Sequence, residues 1–156
     1  MKRKLFIIIP IFLTLILFIF IKIESNKNIE KFYLEDKYYE SNSFIKIDSN
    51  IYNNIKKESY ILFTYNNYCK FNIPCEDIFE SFSKENNVVI LSIPFAEFKK
   101  IDLYKKIKYA PSVIIVKNGH IVAYLDAESD NDLDKYQDVS KFREWVSNYI
   151  YLTKED

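Results

Sequence analysis

Gly119 is the single glycine in a chain of 156 residues, and its setting restricts the fold more than any other feature. It stands in Lys117-Asn118-Gly119-His120, between the apolar runs Val113-Ile114-Ile115-Val116 and Ile121-Val122-Ala123-Tyr124-Leu125. An Asn-Gly pair between two such runs marks a hairpin with a type I′ turn, because both central residues must take positive φ. The chain therefore carries an antiparallel pair of strands toward its C-terminal end.

The remaining pattern places other elements before and after this hairpin. Phe44-Ile45-Lys46-Ile47-Asp48 alternates apolar and polar residues, as a half-buried strand does. Ser49 is placed to cap a short helix with Ile51, Tyr52 and Ile55 on one face. Tyr60 to Tyr65 is continuously apolar, as expected of a strand covered on both faces. Cys75, Ile78, Phe79 and Phe82 fall at helical spacing, and Asn86-Asn87 ends that helix. Val88 to Ile93 reads as a second buried strand closed by Pro94, and Phe98, Ile101, Tyr104 or Lys105, and Ile107 form a weaker helical stripe. After the hairpin, Asp126 to Asp138 is an acidic loop, and Val139 to Leu152 is an amphipathic helix with Phe142, Trp145, Val146, Tyr149 and Ile150 inward. Parallel strands joined by helical crossovers and closed by an antiparallel hairpin predict an α/β domain. Its central sheet is mixed, with helices on both faces.

Composition bounds what such a domain can do. Hydrophobic residues make up 49% and aromatic residues 17%, which excludes a disordered chain. The 22 basic and 22 acidic residues balance. Lys2, Arg3, Lys4 and Lys22 flank the N-terminal apolar run, which leaves 18 basic against 22 acidic residues elsewhere. A slightly acidic domain is a poor nucleic-acid binder, which needs a basic face to displace counterions from phosphate.

The N-terminus reads as a membrane segment. Leu5 to Ile21 is interrupted only by Pro10 and Thr14, a length at the short end for a spanning helix. Ile23-Glu24-Ser25-Asn26 lacks the small residues of a cleavage site, so a retained anchor is favoured over a removed signal. The basic cluster at Lys2 to Lys4 places the N-terminus in the cytoplasm and the rest outside. The expected organisation is an anchor over 1–23, a stalk over 24–43, the α/β domain over 44–152 and a tail over 153–156. An exported domain can keep a disulfide that the cytosol would reduce.

Both cysteines lie in one stretch, Tyr68-Cys69-Lys70-Phe71-Asn72-Ile73-Pro74-Cys75, between the Tyr60 to Tyr65 strand and the following helix. The residues themselves allow three readings: a reversible disulfide that exchanges with substrate thiols, a structural disulfide, or a Cys75 that serves as a small buried hydrophobe. Metal binding is disfavoured, because the one histidine, His120, falls in the hairpin turn. The acidic loop lacks the glycine and terminal glutamate of a calcium loop.

Three features of the stretch from Phe44 to Leu152 resemble the thioredoxin-like superfamily. Tyr68-Cys69 follows an apolar strand as the family's Trp-Cys does. Pro74-Cys75 at a helix start resembles the second half of Cys-Gly-Pro-Cys. Ile107-Lys108-Tyr109-Ala110-Pro111-Ser112, four apolar residues and Lys117-Asn118-Gly119 resemble the family's Ile-x-x-x-Pro-Thr loop, strand and Lys-Asn-Gly hairpin. The resemblance implies a thioredoxin-like fold, a cis-proline at Pro111 facing the cysteine loop, and an Ala110 backbone that offers strand-like hydrogen bonds to a substrate peptide. Tyr68 would line the same surface. It further implies thiol–disulfide exchange on extracytoplasmic protein or peptide thiols, with Cys69 attacking, Cys75 resolving and no added cofactor. The redox partner is not named by the sequence.

The departures from the family favour a second reading. Five residues separate the cysteines instead of two, Asn72 takes the usual nucleophile position counted back from Cys75, and Tyr60 to Tyr65 holds no acid. A redox-inert binding module of an envelope or peptide-export complex, with a structural Cys69–Cys75 disulfide, is the alternative.

Overall fold

The computed structural model describes residues 30–40, 43–66 and 74–154. The apolar run Leu5 to Ile21, and with it the expected anchor, lies outside the described residues. Among the described residues no helix is long and apolar enough to cross a membrane.

Five strands form one sheet in the order β1-β3-β2-β4-β5. They are β1 (Phe44–Lys46), β2 (Tyr60–Tyr65), β3 (Ile90–Pro94), β4 (Ser112–Lys117) and β5 (His120–Asp126). β3 runs parallel to both β1 and β2, whereas β4 is antiparallel to β2 and to β5. This is the mixed sheet that the sequence pattern predicts. The β4–β5 turn has Asn118 at φ 50° and Gly119 at φ 80°, so the Asn-Gly reading is correct in its backbone detail. A β-bulge falls between Ile115 and Val116.

Among the described residues four α-helices cover the sheet: α1 (Ser49–Ile55), α2 (Cys75–Asn86), α3 (Phe95–Phe98) and α4 (Val139–Ser147). Successive side chains of a strand point to opposite faces, and β2 divides its residues accordingly. Phe63 meets Phe79 of α2 with ring centroids 5.0 Å apart, and Phe79 meets Phe142 of α4 at 4.6 Å. Tyr60, on the other face, lies beside Tyr52 of α1. Tyr60 to Thr64 are all buried, as a doubly covered strand requires.

Several expectations change at the element ends. Asp48, and not Ser49, caps α1; its carboxylate accepts from the Asn50 and Ile51 amides at 2.9 and 2.8 Å. Ile51 is exposed, while Tyr52 and Ile55 are buried. The stripe from Phe98 to Ile107 is not one helix but α3 followed by a 3-10 turn over Asp102–Lys105. α4 stops at Ser147, and its carboxyl end gives way to an isolated parallel bridge between Ile150 and Phe32.

That bridge bears on the expected stalk over 24–43. From Lys31 on, the chain packs into the same unit as the sheet. Phe32, Leu34 and Tyr38 are buried, and Phe32 exchanges backbone hydrogen bonds with Tyr149 and Tyr151 at 3.0 Å. Phe32 and Leu34 turn inward as alternate positions of an extended segment do, with Tyr33 between them exposed, and Tyr38 enters the core from a 3-10 turn over Asp36–Tyr38.

Candidate functional site

One edge of the sheet gathers the residues of interest. The register pairs Thr64 with Ser112, Tyr65 with Pro94, and Ser112 with Asp126. The exit of β2, the end of β3, the Pro111 loop and the end of β5 therefore lie side by side.

Cys75 is the first residue of α2. It is buried on the inner face with Ile78, Phe79 and Phe82, while Glu76 and Asp77 are exposed. Pro74 is the N-cap and offers no side-chain cap; its carbonyl accepts from the Asp77 amide at 3.0 Å. Carboxylates in a first turn favour the helix by meeting its partial positive charge. Cys69 and Tyr68 lie outside the described residues.

The Ala110–Pro111 peptide is cis, as the resemblance implies. Pro111 is buried, Ala110 half-buried and Tyr109 exposed. Ser112 turns its hydroxyl back to the Tyr109 carbonyl at 3.0 Å, which closes the loop on itself. Asn66 reaches across from the exit of β2 and donates its side-chain amide to the Ala110 carbonyl at 2.9 Å. Sequence reasoning passed over Asn66; its signal was an amide side chain at the point where the apolar strand ends.

A second residue was missed inside the acidic loop. Tyr136 ends a 3-10 turn over Leu133–Tyr136 and is fully buried. Its hydroxyl donates to the Leu125 carbonyl at 2.8 Å, lies 3.3 Å from the Pro111 carbonyl and is hydrogen-bonded by the Val113 backbone. Burial pushes the phenol far above its ordinary value, and the neighbouring Cys75 opposes its ionisation further. Leu133 and Tyr136, three residues apart, were the visible hint of a helical turn within a polar stretch.

No carboxylate is buried among the described residues. The inner side of α2 is instead walled by Phe63, Phe79, Phe142 and Tyr136, the last meeting Phe79 edge to face at 5.6 Å. The acidic loop largely satisfies itself. Asp132 accepts from the Asp126 amide at 3.1 Å, and Lys135 pairs with Asp134 at 2.9 Å. Among the described residues no group of three or more His, Cys, Asp or Glu side chains converges as a metal site would.

The strand order, the cis-proline loop and a helix opening on Cys75 at the same sheet edge together define a thioredoxin-like fold. The solved structures agree. The structure is similar to an asparagine-to-glutamine variant of thioredoxin from Halobacterium salinarum NRC-1. That match has a TM-score of 0.51 at 11% identity and covers 72% of this chain and 96% of that one. Thioredoxin f from spinach chloroplast is also similar, with a TM-score of 0.47 at 19% identity over 69% of this chain and 97% of that one. At such identities the likeness is one of fold, and it stands on the first of the two. No family model matches the sequence, and no curated protein matches it.

Proposed function

We propose that this protein is a membrane-anchored thiol–disulfide exchange protein whose domain works outside the cytoplasm on protein or peptide substrates. The observation that carries this reading is Cys75. It opens α2 at the sheet edge that also holds the cis Ala110–Pro111 loop. The only other cysteine, Cys69, precedes it by six positions. A helix N-terminus favours the thiolate that Cys75 must become when it resolves the mixed disulfide.

The reaction runs in two balanced steps. The Cys69 thiolate attacks one sulfur of a substrate disulfide, forming a mixed disulfide and releasing the other substrate sulfur as thiolate. Cys75, its proton lost to solvent, then attacks the Cys69 sulfur. The Cys69–Cys75 bond forms, the Cys69–substrate bond breaks, and the second substrate thiolate leaves. The protein dithiol loses the two electrons that the substrate disulfide gains. Ala110, Pro111 and Tyr68 form the surface on which the substrate backbone lies, with Tyr109 exposed beside it. The apolar run Leu5 to Ile21 and its basic flank hold the protein in the membrane with the domain outside.

The second reading, a redox-inert binding module with a structural Cys69–Cys75 disulfide, draws on the aromatic wall behind Cys75. No buried carboxylate is present among the described residues to take a proton from the resolving thiol. Equilibrating the full-length chain against glutathione separates the two. A potential between roughly −120 and −270 mV is expected for exchange, and one below about −300 mV for a structural bond. Two thiols that stay reduced under oxidising conditions would sink both.

A further inference from the structure

Tyr136 touches three elements: the end of β5, the start of β4, and α2, the helix that Cys75 opens. Its hydroxyl is tied to the end of β5 through the Leu125 carbonyl, to the start of β4 through the Val113 backbone, and approaches the Pro111 carbonyl. Its ring packs edge to face on Phe79. Phe79 follows Cys75 by four residues and shares its face of α2. A satisfied core tyrosine could be made of fewer links; this one spans the Pro111 loop and the helix of the cysteine with a single rigid ring.

We propose that Tyr136 is a positioning residue for the exchange reaction: its hydroxyl holds the Pro111 loop against the face of α2 that carries Cys75, and so sets the approach of Cys75 to the mixed disulfide. The inference rests on the exchange reading above. The chemistry of a phenol suits the task. A carboxylate in this place would change charge with its surroundings and repel a thiolate. Burial and the neighbouring Cys75 both oppose ionisation of Tyr136, so the strut stays neutral, and keeps its hydrogen bonds, whichever form Cys75 takes. The acidic stretch from Asp126 to Asp138 thus contributes an interior residue to the site and is more than a solvated connection.

The test uses the full-length reduced chain and a small aryl disulfide, dithiobis(nitrobenzoate), which releases one coloured thiolate per step. The first release reports attack on the reagent and the second reports resolution by Cys75. In Tyr136→Phe the first release is expected to stay within about twofold, while the second slows by about tenfold, the scale on which small misplacements of reacting groups act. A core-packing role alone would lower the melting temperature and leave the ratio of the two rates unchanged, and that result overturns the proposal. Should Tyr136→Phe not fold, Phe79→Leu takes its place, since it breaks the ring contact and keeps the site apolar; the expected and overturning results are the same. Failure of the exchange reading shows up separately, in the glutathione equilibration: a potential below about −300 mV for the unsubstituted chain marks a structural bond, and the positioning role in exchange would fall with it.

Discussion

The side-chain amide of Asn66 caps the Ala110 carbonyl at 2.9 Å, joining the exit of β2 to the residue before the cis proline. This contact orders the loop edge on which a substrate backbone is proposed to lie. Asn66→Ala removes the donor and is expected to lower stability by about 1 kcal/mol, the net contribution of one such hydrogen bond. The rate with a peptide disulfide should change more than the rate with a small aryl disulfide, which does not need the Ala110 edge. Equal changes for both substrates would count against a docking role for this edge.

Thr64, paired with Ser112 on the adjacent strand, is fully buried, and its hydroxyl has no hydrogen-bond partner among the described residues. A buried hydroxyl left unpaired costs stability. Thr64→Val keeps the shape and the β-branch and is expected to raise stability by about 1 kcal/mol. Denaturant unfolding checks this; a loss of stability would mean that the hydroxyl is satisfied after all.

Gly119 sits at the opposite end of the sheet from the exit of β2 and the Pro111 loop. Its amide donates to the Glu58 carbonyl at 3.1 Å, and a Cβ added there would come within 2.5 Å of the Lys56 carbonyl oxygen at φ +80°. Both the conformation and the space exclude a side chain. Gly119→Ala is expected to lose about 1 to 3 kcal/mol while the exchange rates stay at parental values. An unchanged melting temperature would show that the turn and the loop after α1 move apart freely.

Stability should fall at both ends of the pH scale, for opposite reasons. Glu97 is held down to about 2 by hydrogen bonds from Lys100 and Ser49, and Asp138 is lowered by those from Ser140 and Lys141. Groups depressed in the folded state stabilise it above their unfolded values, near 4, and that contribution is lost as pH falls toward 2. The buried phenols of Tyr38, Tyr52, Tyr60 and Tyr136 are raised, mainly by burial. Their contribution is full below about 10 and declines as pH rises beyond it, because the unfolded phenols ionise first. Melting temperatures across pH 2 to 11 check both limbs, and Glu97→Gln should flatten the acid limb. An acid limb of the same slope in that variant would assign the effect elsewhere.

Local chemistry carried much of the fold. Asn118-Gly119 specifies its turn because few residues tolerate two successive positive φ angles, and the apolar runs of β2, β3 and β4 announce strands covered on both faces. The helix at Cys75 was legible from four apolar residues at its own spacing, and the Pro111 loop from its likeness to a known one. Other features depend on distant partners. Asp48 caps α1, and Ser49 does not, because cap geometry depends on where the chain enters the helix. The segment from Lys31 joins the domain because Phe32 finds the end of α4 more than a hundred positions away. The candidate site shows the same division. Cys75, Ala110 and Pro111 could be named from the chain alone, since each belongs to a short motif. Asn66 and Tyr136 leave only faint local hints in the chain, and their contacts with the Pro111 loop exist only once the sheet sets β2, β4 and β5 side by side, for a hydrogen bond across strands leaves no period in the sequence.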